Sequence, residues 1–282
     1  MNTILHGPIP DLTISQIAIP DGALYVILTL ISGIFWTGAY INIIYRGFKD
    51  KTAGMPLLVL GLNISWEFLF AFAGAPFLDP NSTMAIAGQT VVQRAMDVMW
   101  FVFDCVILYL KFKYGRDEYH KALPGFGEKL YKPYLCLIIF LSFLAVYAIS
   151  IELKDHQGAY AAYLQNIFIS SLYVQMLFRK GNTDGQSMYI AILKFFGTVA
   201  PSAMGAITCM LAYGIKVTDF LNPGFMPLMK MLIIGCMIFD VTYIVLLYRQ
   251  FKHEGKNPWT RKPLPGYVPS EEDPHYYVPA NA

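Results

Sequence analysis

Charged side chains are scarce in this sequence. Asp, Glu, Lys and Arg make up 14% of the 282 residues, about half the share in an ordinary soluble domain, and the formal net charge is +2. Nucleic-acid binding needs a basic tract or patch, and no basic tract interleaved with aromatic residues occurs, so that class of partner is excluded. Hydrophobic residues, in contrast, reach 56%. This composition predicts an integral membrane protein that is surrounded by the lipid bilayer.

Cysteine is also rare. The four cysteines all lie inside apolar stretches, without the spacing of metal ligands and without partners in the loops. We therefore predict neither a disulfide framework nor a metal site. The cysteines interpreted as packing residues are Cys105, Cys136, Cys209 and Cys236.

Seven apolar stretches are long enough to cross a bilayer, which takes about 20 helical residues each. Short loops join them, so the sequence predicts an all-α polytopic membrane protein with a single seven-transmembrane-helix bundle at 22–250. An N-terminal extension at 1–21 precedes the bundle. A tail at 251–282, rich in proline and charge, follows it and is expected to be unpacked. The predicted spans are 22–45, 54–74, 91–112, 133–151, 157–178, 188–214 and 226–250.

Lysine and arginine are distributed unevenly between alternate loops. The first, third and fifth loops and the tail hold 16 of these residues, whereas the other side holds only Lys154 and Lys216. By the positive-inside rule, the N-terminus lies outside or in the lumen and the C-terminal tail is cytoplasmic. Residues 1–21 lack the basic region of a cleaved signal peptide, so the first span is expected to remain as an anchor. The sequon Asn81-Ser82-Thr83 then lies on the outer side, where glycosylation is permitted.

Four carboxylic acids lie inside the predicted spans, where an ionised group is costly and usually faces a protein cavity. Helical spacing gives them neighbours on the same helix face. Asn63 lies one turn before Glu67 and is expected to hydrogen-bond to it. The other groupings are Asp97 with Trp100 and Asp104, Asp240 with Tyr243, and a polar stripe of Tyr163, Asn166, Ser170 and Tyr173.

Each of these residues also has a structural interpretation. A buried acid can join two helices, and polar residues at helical spacing often serve as interhelical contacts. We expect Asp97 to pair with Arg94 near the interface. Lys194 is expected either to extend to the cytoplasmic interface or to pair with a carboxylate. Arg94 and Lys230 are interpreted as interfacial anchors.

A buried acid has a characteristic chemistry. A carboxyl group in a dry interior can retain its proton at neutral pH and act as a Brønsted acid. Aromatic rings nearby stabilise a carbocation, because the ring quadrupole attracts positive charge. A second carboxylate can remove a proton at the end. This combination suits acid-triggered cyclisation of a hydrophobic polyene.

Three segments carry a resemblance to a known family. They are Met55-Pro56-Leu57 followed by Leu62-Asn63-Ile64-Ser65-Trp66-Glu67, then Trp100-Phe101-Val102-Phe103-Asp104, and Phe239-Asp240-Val241-Thr242-Tyr243. They resemble the membrane-integral, seven-span terpene cyclases of fungal meroterpenoid and indole-diterpene biosynthesis, a family with bacterial relatives. The Asn-Ile-Ser-Trp-Glu run is the most specific of these elements.

The resemblance implies a catalytic bundle that works without a cofactor or a metal. Such an enzyme protonates the terminal epoxide or olefin of a farnesyl or geranylgeranyl chain, carried by a hydrophobic prenylated small molecule, and folds the chain into fused rings. Its membrane would be the endoplasmic reticulum in a fungus and the plasma membrane in a bacterium. The Asp-Asp-x-x-Asp and Asp-x-Asp-Asp motifs of soluble cyclases do not occur.

The resemblance also assigns roles to residues. Glu67 and Asp240 match the family's essential acids and would carry the proton transfer. The supporting acid network comprises Asn63 beside Glu67, Tyr243 beside Asp240, and Asp104. The candidates that shape the chain and shield cations are Trp66, Trp100 and Tyr163.

Other seven-span classes fit the sequence less well. A receptor would carry Asp-Arg-Tyr after the third span and Asn-Pro-x-x-Tyr in the seventh, and neither occurs. A retinal protein needs a lysine near the middle of its last span, whereas Lys230 lies near the outer end. A proton-coupled transporter with the acids as a relay remains the alternative. No internal duplication or pair of broken helices supports it, apart from Pro201 in the sixth span.

Overall fold

Long α-helices build most of this structure, a computed structural model that describes residues 23–73, 91–153, 155 and 158–280. The α-helices are α1 (Ala23–Asp50), α2 (Leu57–Phe68), α3 (Val91–Ala122), α4 (Pro124–Lys129), α5 (Tyr131–Glu152), α6 (Ala159–Lys180), α7 (Met188–Tyr213), α8 (Val217–Phe220) and α9 (Pro227–His253). The α2 helix continues directly into a π-helical segment, Leu69–Ala73. Two short strands follow, β1 (Tyr267–Pro269) and β2 (Tyr277–Pro279).

The long helices coincide with the predicted apolar stretches. Four of them, α1, α5, α7 and α9, are long and apolar enough to cross a membrane, and α2 belongs to a shorter apolar helix. The prediction of a mostly helical protein is confirmed, apart from the two short strands. The apolar helices indicate an integral membrane protein that crosses the bilayer more than once.

The helices pack so that α2 and α9 have mostly different neighbours. Helix α1 lies against α3 and α7, α2 against α3, α5 and α6, and α9 against α6 and α7. A glycine permits the close approach of α2 to α5, because a Cβ atom on Gly61 would lie 2.6 Å from the Ser142 hydroxyl oxygen. Small residues at such contacts are typical of membrane helices, where backbones approach closely.

A proline in α7 is accommodated by a neighbouring helix. Pro201 lacks an N–H group, so the carbonyl of Gly197, four residues earlier, has no helical donor. The Ser32 hydroxyl on α1 donates to this carbonyl at 3.2 Å. Gly197 is also the residue on which Trp36 packs, since a Cβ atom there would lie 2.8 Å from the indole ring. These contacts hold α1 against α7.

The C-terminal tail packs onto the helix ends, so the prediction of an unpacked tail is wrong. Phe251 and Glu254 are fully buried, and the Glu254 carboxylate accepts from the Thr183 hydroxyl at 2.6 Å and from Lys256 at 2.7 Å. Arg261 forms an ion pair with Asp50 at 3.2 Å. The strands β1 and β2 pair antiparallel. Charged side chains of the tail therefore pair with charged and polar groups at the ends of α1, α7 and α9.

Two predictions concern residues that the structure does not describe. The N-terminal extension at 1–21 and the sequon Asn81-Ser82-Thr83 both lie outside the described ranges. Their placement stays a prediction from the sequence.

Replacing Arg261 with alanine is expected to loosen the tail, because the guanidinium group joins Asp50 to the backbone carbonyl of Gln186. Loss of such a charged hydrogen-bond donor costs about 1–3 kcal/mol. Limited proteolysis of membranes should therefore cleave beyond residue 253 several times faster. The neighbouring exposed charge provides the control, and Lys262→Ala should leave the cleavage rate unchanged. Equal protection in both variants would contradict a tail held by Arg261.

Candidate active site

A cavity of about 430 Å³ lies among α1, α2, α3, α6, α7 and α9. Its volume falls in the range of small-molecule sites, about 300–1,000 Å³. The lining is mostly apolar, with a few amide and hydroxyl groups. The aromatic residues that line it are Trp36, Tyr40, Trp66, Trp100, Tyr163, Phe220 and Phe225.

Glu67 supplies the acid at the cavity wall. Its side chain is 2% exposed, and its Oε1 atom accepts a hydrogen bond from the Tyr40 hydroxyl at 2.5 Å. The Asn63 amide, one turn earlier on α2, donates to the same oxygen at 3.4 Å. Among the described residues, no N–H group and no hydroxyl group donates to Oε2. The Asp104 carboxyl group lies within hydrogen-bonding distance of the Glu67 carboxyl group. One oxygen of Glu67 is thus held by two donors, and a second carboxyl group adjoins the acid.

Asn63 connects Glu67 to the neighbouring helices. Its amide nitrogen contacts the Tyr40 hydroxyl and donates to Asp104 Oδ2 at 3.2 Å. Its oxygen accepts from Gln165 of α6 at 3.1 Å. Asp104 is fully buried. The sequence-predicted residues Asn63, Glu67 and Asp104 therefore meet in one cluster, and two carboxyl groups share a single amide.

The backbone around Glu67 fixes the adjacent Trp66 side chain. The π-helical segment begins two residues after Glu67, and such segments are frequent at functional sites. The Trp66 indole donates to the carbonyl of Gly158 at 2.9 Å. Gly158 has a φ of +72°, and a Cβ atom there would lie 2.7 Å from the Phe70 ring. Only glycine suits this position, because it accepts the left-handed conformation and leaves room for the rings.

A buried aspartate supports the start of α6 beside Gly158. The backbone N–H of Ala161 donates to Asp155 Oδ2 at 2.8 Å. Burial raises the pKa of Asp155 to about 6, so the group is mostly ionised at neutral pH. Its negative charge then lies at the positive end of the α6 dipole, which is a favourable placement.

The aromatic wall of the cavity contains every predicted aromatic residue and four more, Trp36, Tyr40, Phe220 and Phe225. Trp66, Trp100 and Tyr163 all line the cavity. Trp36 and Tyr40 of α1 were missed by the sequence reasoning, which gave no weight to their spacing of four residues on one helix face. Ring centroids lie 6.3 Å apart both for Trp36 and Tyr40 and for Tyr40 and Trp100. The rings of Trp36, Tyr40 and Trp100 thus form one continuous π-rich surface.

Asp97 is fully buried but does not pair with Arg94 as expected. Its Oδ1 atom accepts from the Gln93 amide at 2.7 Å. Arg94 instead donates to the carbonyl of Ala71 within the π-helical segment, at 3.2 Å. The arginine thus joins α3 to this segment.

Asp240 occupies a different environment from Glu67. It forms a buried ion pair with Lys194, whose ammonium group also donates to the Ser170 hydroxyl at 2.8 Å. Lys194 therefore pairs with a carboxylate and does not extend to the interface. The expected orientation of Asp240 by Tyr243 is wrong, because the Tyr243 hydroxyl donates to the Gln186 side chain at 3.0 Å. Its ring packs edge to face on Tyr173.

The structure does not bring Asp240 together with Glu67. Neither Asp240 nor Tyr243 is among the described residues that line the cavity. A chain of hydrogen bonds nevertheless leads from Lys194 to the wall, since the Thr198 hydroxyl donates to the Lys194 carbonyl at 3.1 Å and accepts from the Asn166 amide at 2.9 Å. Thr198 and Asn166 do line the cavity.

Metal ligands are not grouped in the part of the chain that the structure describes. No set of three or more His, Cys, Asp or Glu side chains there could hold a metal ion. The four cysteines are free thiols.

Comparison with known proteins identifies terpene cyclases as relatives of this chain. The profile of a family described as Pyr4-like transmembrane terpene cyclases matches residues 20–253. The Pyr4-family terpene cyclase mfmH of Annulohypoxylon moriforme is 33% identical over 177 residues, which cover 61% of this chain and 66% of that protein. Terpene cyclase andB of Emericella variicolor is 27% identical over 240 residues, 83% of this chain and 92% of the relative.

Terpene cyclase pyr4 of Aspergillus fumigatus is 24% identical over 232 residues, 81% of this chain and 87% of that relative. No solved structure shows significant similarity to the chain. The profile match spans the helices from α1 to α9 that surround the cavity. The expected resemblance and the enzyme class, terpene cyclase, are confirmed, and the transporter alternative loses its support. This chain belongs to the Pyr4-like transmembrane terpene cyclases.

Proposed function

We propose that Glu67 of this terpene cyclase protonates the terminal epoxide or olefin of a prenylated substrate. The prenyl group is a farnesyl or geranylgeranyl chain on a meroterpenoid precursor, and its protonation starts a carbocationic cyclisation to fused rings. The observation that carries this proposal is the Glu67 carboxyl group at the cavity wall, where Tyr40 and Asn63 hold Oε1. Among the described residues, no N–H or hydroxyl group donates to Oε2.

The neighbouring Asp104 supports a neutral Glu67. The two carboxyl groups share the Asn63 amide, and no lysine or arginine forms an ion pair with either of them among the described residues. Two negative charges this close repel strongly in an interior of low dielectric. The pair is therefore expected to retain at least one proton at neutral pH, and that proton is available to an apolar guest.

The reaction then follows from proton balance. The O–H bond of Glu67 breaks, and the proton passes to the epoxide oxygen or to the terminal alkene carbon. In the epoxide, a C–O bond then breaks and leaves a hydroxyl group and a carbocation; in the alkene, protonation of the double bond forms the carbocation. Each following alkene supplies the electron pair of a new carbon–carbon bond. Loss of a proton from the last cation restores the acid, so the overall reaction is an isomerisation. Tyr40 and Asn63 stabilise the Glu67 carboxylate while it lacks its proton.

The aromatic wall supports the cationic intermediates. Trp36, Trp66, Trp100 and Tyr163 present ring faces and edges to a cavity that holds few polar groups. Attraction of a cation to an aromatic ring contributes about 2 kcal/mol or more in a desolvated site. The same rings shape the fold of the prenyl chain before protonation.

Asp240 acts through Lys194 in this proposal. Because Asp240 forms an ion pair and does not line the cavity among the described residues, it is a positioning residue and not the acid that contacts the substrate. The pair joins α7 to α9. Thr198 of α7, together with its hydrogen-bond partner Asn166 of α6, forms part of the wall.

We also propose that seven helices cross the membrane, with the N-terminus outside and the C-terminus cytoplasmic. They are α1, α2 with its π-helical extension, α3, α5, α6, α7 and α9. The polar residues that lower the hydropathy of α3 and α6 include buried Asp97, Asp104, Asn166 and Ser170, so these helices need not be exposed to water. The uneven loop charge supports the orientation. The relatives come from fungi, which supports the endoplasmic reticulum membrane.

Glu67→Gln is expected to lower the cyclisation rate by about 10²–10⁴-fold, because it keeps the shape of the side chain and removes the acid. The assay incubates membranes that contain the protein with an epoxyfarnesylated phenol and follows the products by mass spectrometry and retention time. Glu152→Gln is the matched control, since this exposed acid at the end of α5 does not line the cavity. Undiminished turnover in Glu67→Gln would reject the role of Glu67.

Tyr40→Phe is expected to lower kcat by about 10–100-fold, because one of two donors to the developing Glu67 carboxylate is lost. The substrate KM should change little, since the phenyl ring stays in the wall. Steady-state kinetics in membranes measure both values. A rise in KM with an unchanged kcat would show that Tyr40 contributes to binding and not to proton transfer.

Asp240→Asn is expected to destabilise the protein by about 3–5 kcal/mol, because it leaves the Lys194 ammonium group buried and unpaired. The double variant Asp240→Asn with Lys194→Gln removes both charges and keeps a hydrogen-bonding pair. It should recover folded protein and at least tenfold more cyclisation than the single variant. A folded double variant as inactive as Asp240→Asn would instead identify Asp240 as a proton-transfer residue.

A further inference from the structure

One cationic side chain lines the cavity, and it comes from a different helix than the acid. Among the described lining residues, Glu67 is the single acid and Lys230 the single base. Lys230 lies in the first turn of α9, and the sequence alone suggested an interfacial anchor. The structure instead places it at the cavity, partly buried, beside the α8–α9 loop.

The positive charge of Lys230 is held in position, and no described residue neutralises it. Its ammonium group donates to the backbone carbonyls of Phe220 at 3.2 Å and Asn222 at 2.6 Å. No carboxylate within the described ranges forms an ion pair with it. An ammonium group carries three N–H donors, so one remains for a further acceptor. Two carbonyls fix the direction of the group, but they leave its charge without a counter-ion.

The surroundings of Lys230 are apolar. Phe220 and Phe225 pack edge to face with ring centroids 5.4 Å apart, and Phe225 is buried. Both rings line the cavity together with Met226 and Met229. A cation in such a setting interacts more strongly with an anion than it would in water, because the local dielectric constant is low. These apolar surroundings therefore favour an oxyanion over water as the partner of the Lys230 ammonium group.

The two ionisable groups of the cavity, Glu67 and Lys230, indicate a ligand with two different polar ends. Glu67 lies on α2, which packs on α3, α5 and α6, whereas Lys230 lies on α9, which packs on α6 and α7. Both groups line one mostly apolar cavity, so a molecule that contacts both needs an apolar body. One end must accept a proton from a carboxylic acid, and the other end must offer a negatively polarised oxygen.

We propose that Lys230 binds an acidic hydroxyl or other oxyanion group on the non-prenyl end of the substrate, and so selects prenylated phenols, enols or carboxylic acids over neutral ethers and esters. This inference rests on the proposed cyclase function, since it takes the prenyl end to lie at Glu67. Lys230 is a specificity-determining residue in this arrangement. It takes no part in proton transfer to the chain.

Binding in the absence of turnover tests the proposal most cleanly. The probes are a phenol that carries an epoxyfarnesyl chain and its methyl ether, which differ only in the acidic hydroxyl group. Binding to detergent-solubilised Glu67→Gln protein is followed by quenching of the cavity tryptophans. Lys230→Met in this background should weaken phenol binding about 10–100-fold, the value of a charge-assisted hydrogen bond, and change ether binding less than threefold. Lys230→Arg should keep phenol binding within about tenfold, because the charge is retained.

Two results would overturn the proposal. Equal weakening of both probes would mean that Lys230 only ties the α8–α9 loop, and no weakening of either would mean that the head group does not reach it. If Lys230→Met fails to fold, the comparison moves to the Glu67→Gln protein with Lys230 intact. There, phenol binding at least tenfold tighter than ether binding supports the proposal, and equal affinity rejects it.

The outcome is separable from that of the proposed function. Cyclisation by the wild-type enzyme and its loss in Glu67→Gln test the acid, whereas the binding ratio of the two probes tests Lys230. In Lys230→Met with Glu67 intact, KM for the phenol should rise about tenfold or more with kcat within threefold. A fall in kcat alone would contradict a role in head-group binding.

Discussion

Two donors hold one oxygen of the Glu67 carboxyl group, and no cation stands near it among the described residues. This arrangement depends on the exclusion of water, because a hydrated carboxyl group would ionise at neutral pH and lose its value as an acid. Tyr40 and Asn63 come from different helices, so the cluster also fixes α1 against α2. The donors are ready for the carboxylate before the proton leaves, which reduces the reorganisation that accompanies the reaction.

Two glycines leave room for the aromatic rings around this acid, and one proline allows an additional contact between α1 and α7. Gly158 leaves room for the rings of Trp66 and Phe70, and Gly197 leaves room for Trp36. Pro201 frees a carbonyl that Ser32 satisfies. The second buried acid has the opposite environment, since Lys194 neutralises Asp240. One interior thus holds an acid without a counter-ion, suited to donate a proton, and an ion pair suited to join helices.

Within single helices, the sequence predicted part of the site. Asn63 and Glu67 are one turn apart, so their contact follows from the helical period, and Trp100 shares a helix face with Asp104 for the same reason. The expected pairs of Asp240 with Tyr243 and of Asp97 with Arg94 also lie within one helix, but their side chains bind other partners. Contacts between helices could not be read in this way. The pairing of Lys194 with Asp240, the approach of Tyr40 to Glu67 and the position of Lys230 at the cavity depend on helix rotation and register. The packed tail was missed because composition records charge but not the partners that neutralise it.

The protonation state of Glu67 is the central claim, and infrared difference spectroscopy of membranes at neutral pH measures it directly. The spectrum of the wild-type protein minus that of Glu67→Gln should contain the C=O stretching band of a protonated carboxylic acid, and the band should shift in heavy water. A difference spectrum with only the paired bands of an ionised carboxylate would contradict the account, because Glu67 would then have no proton to give.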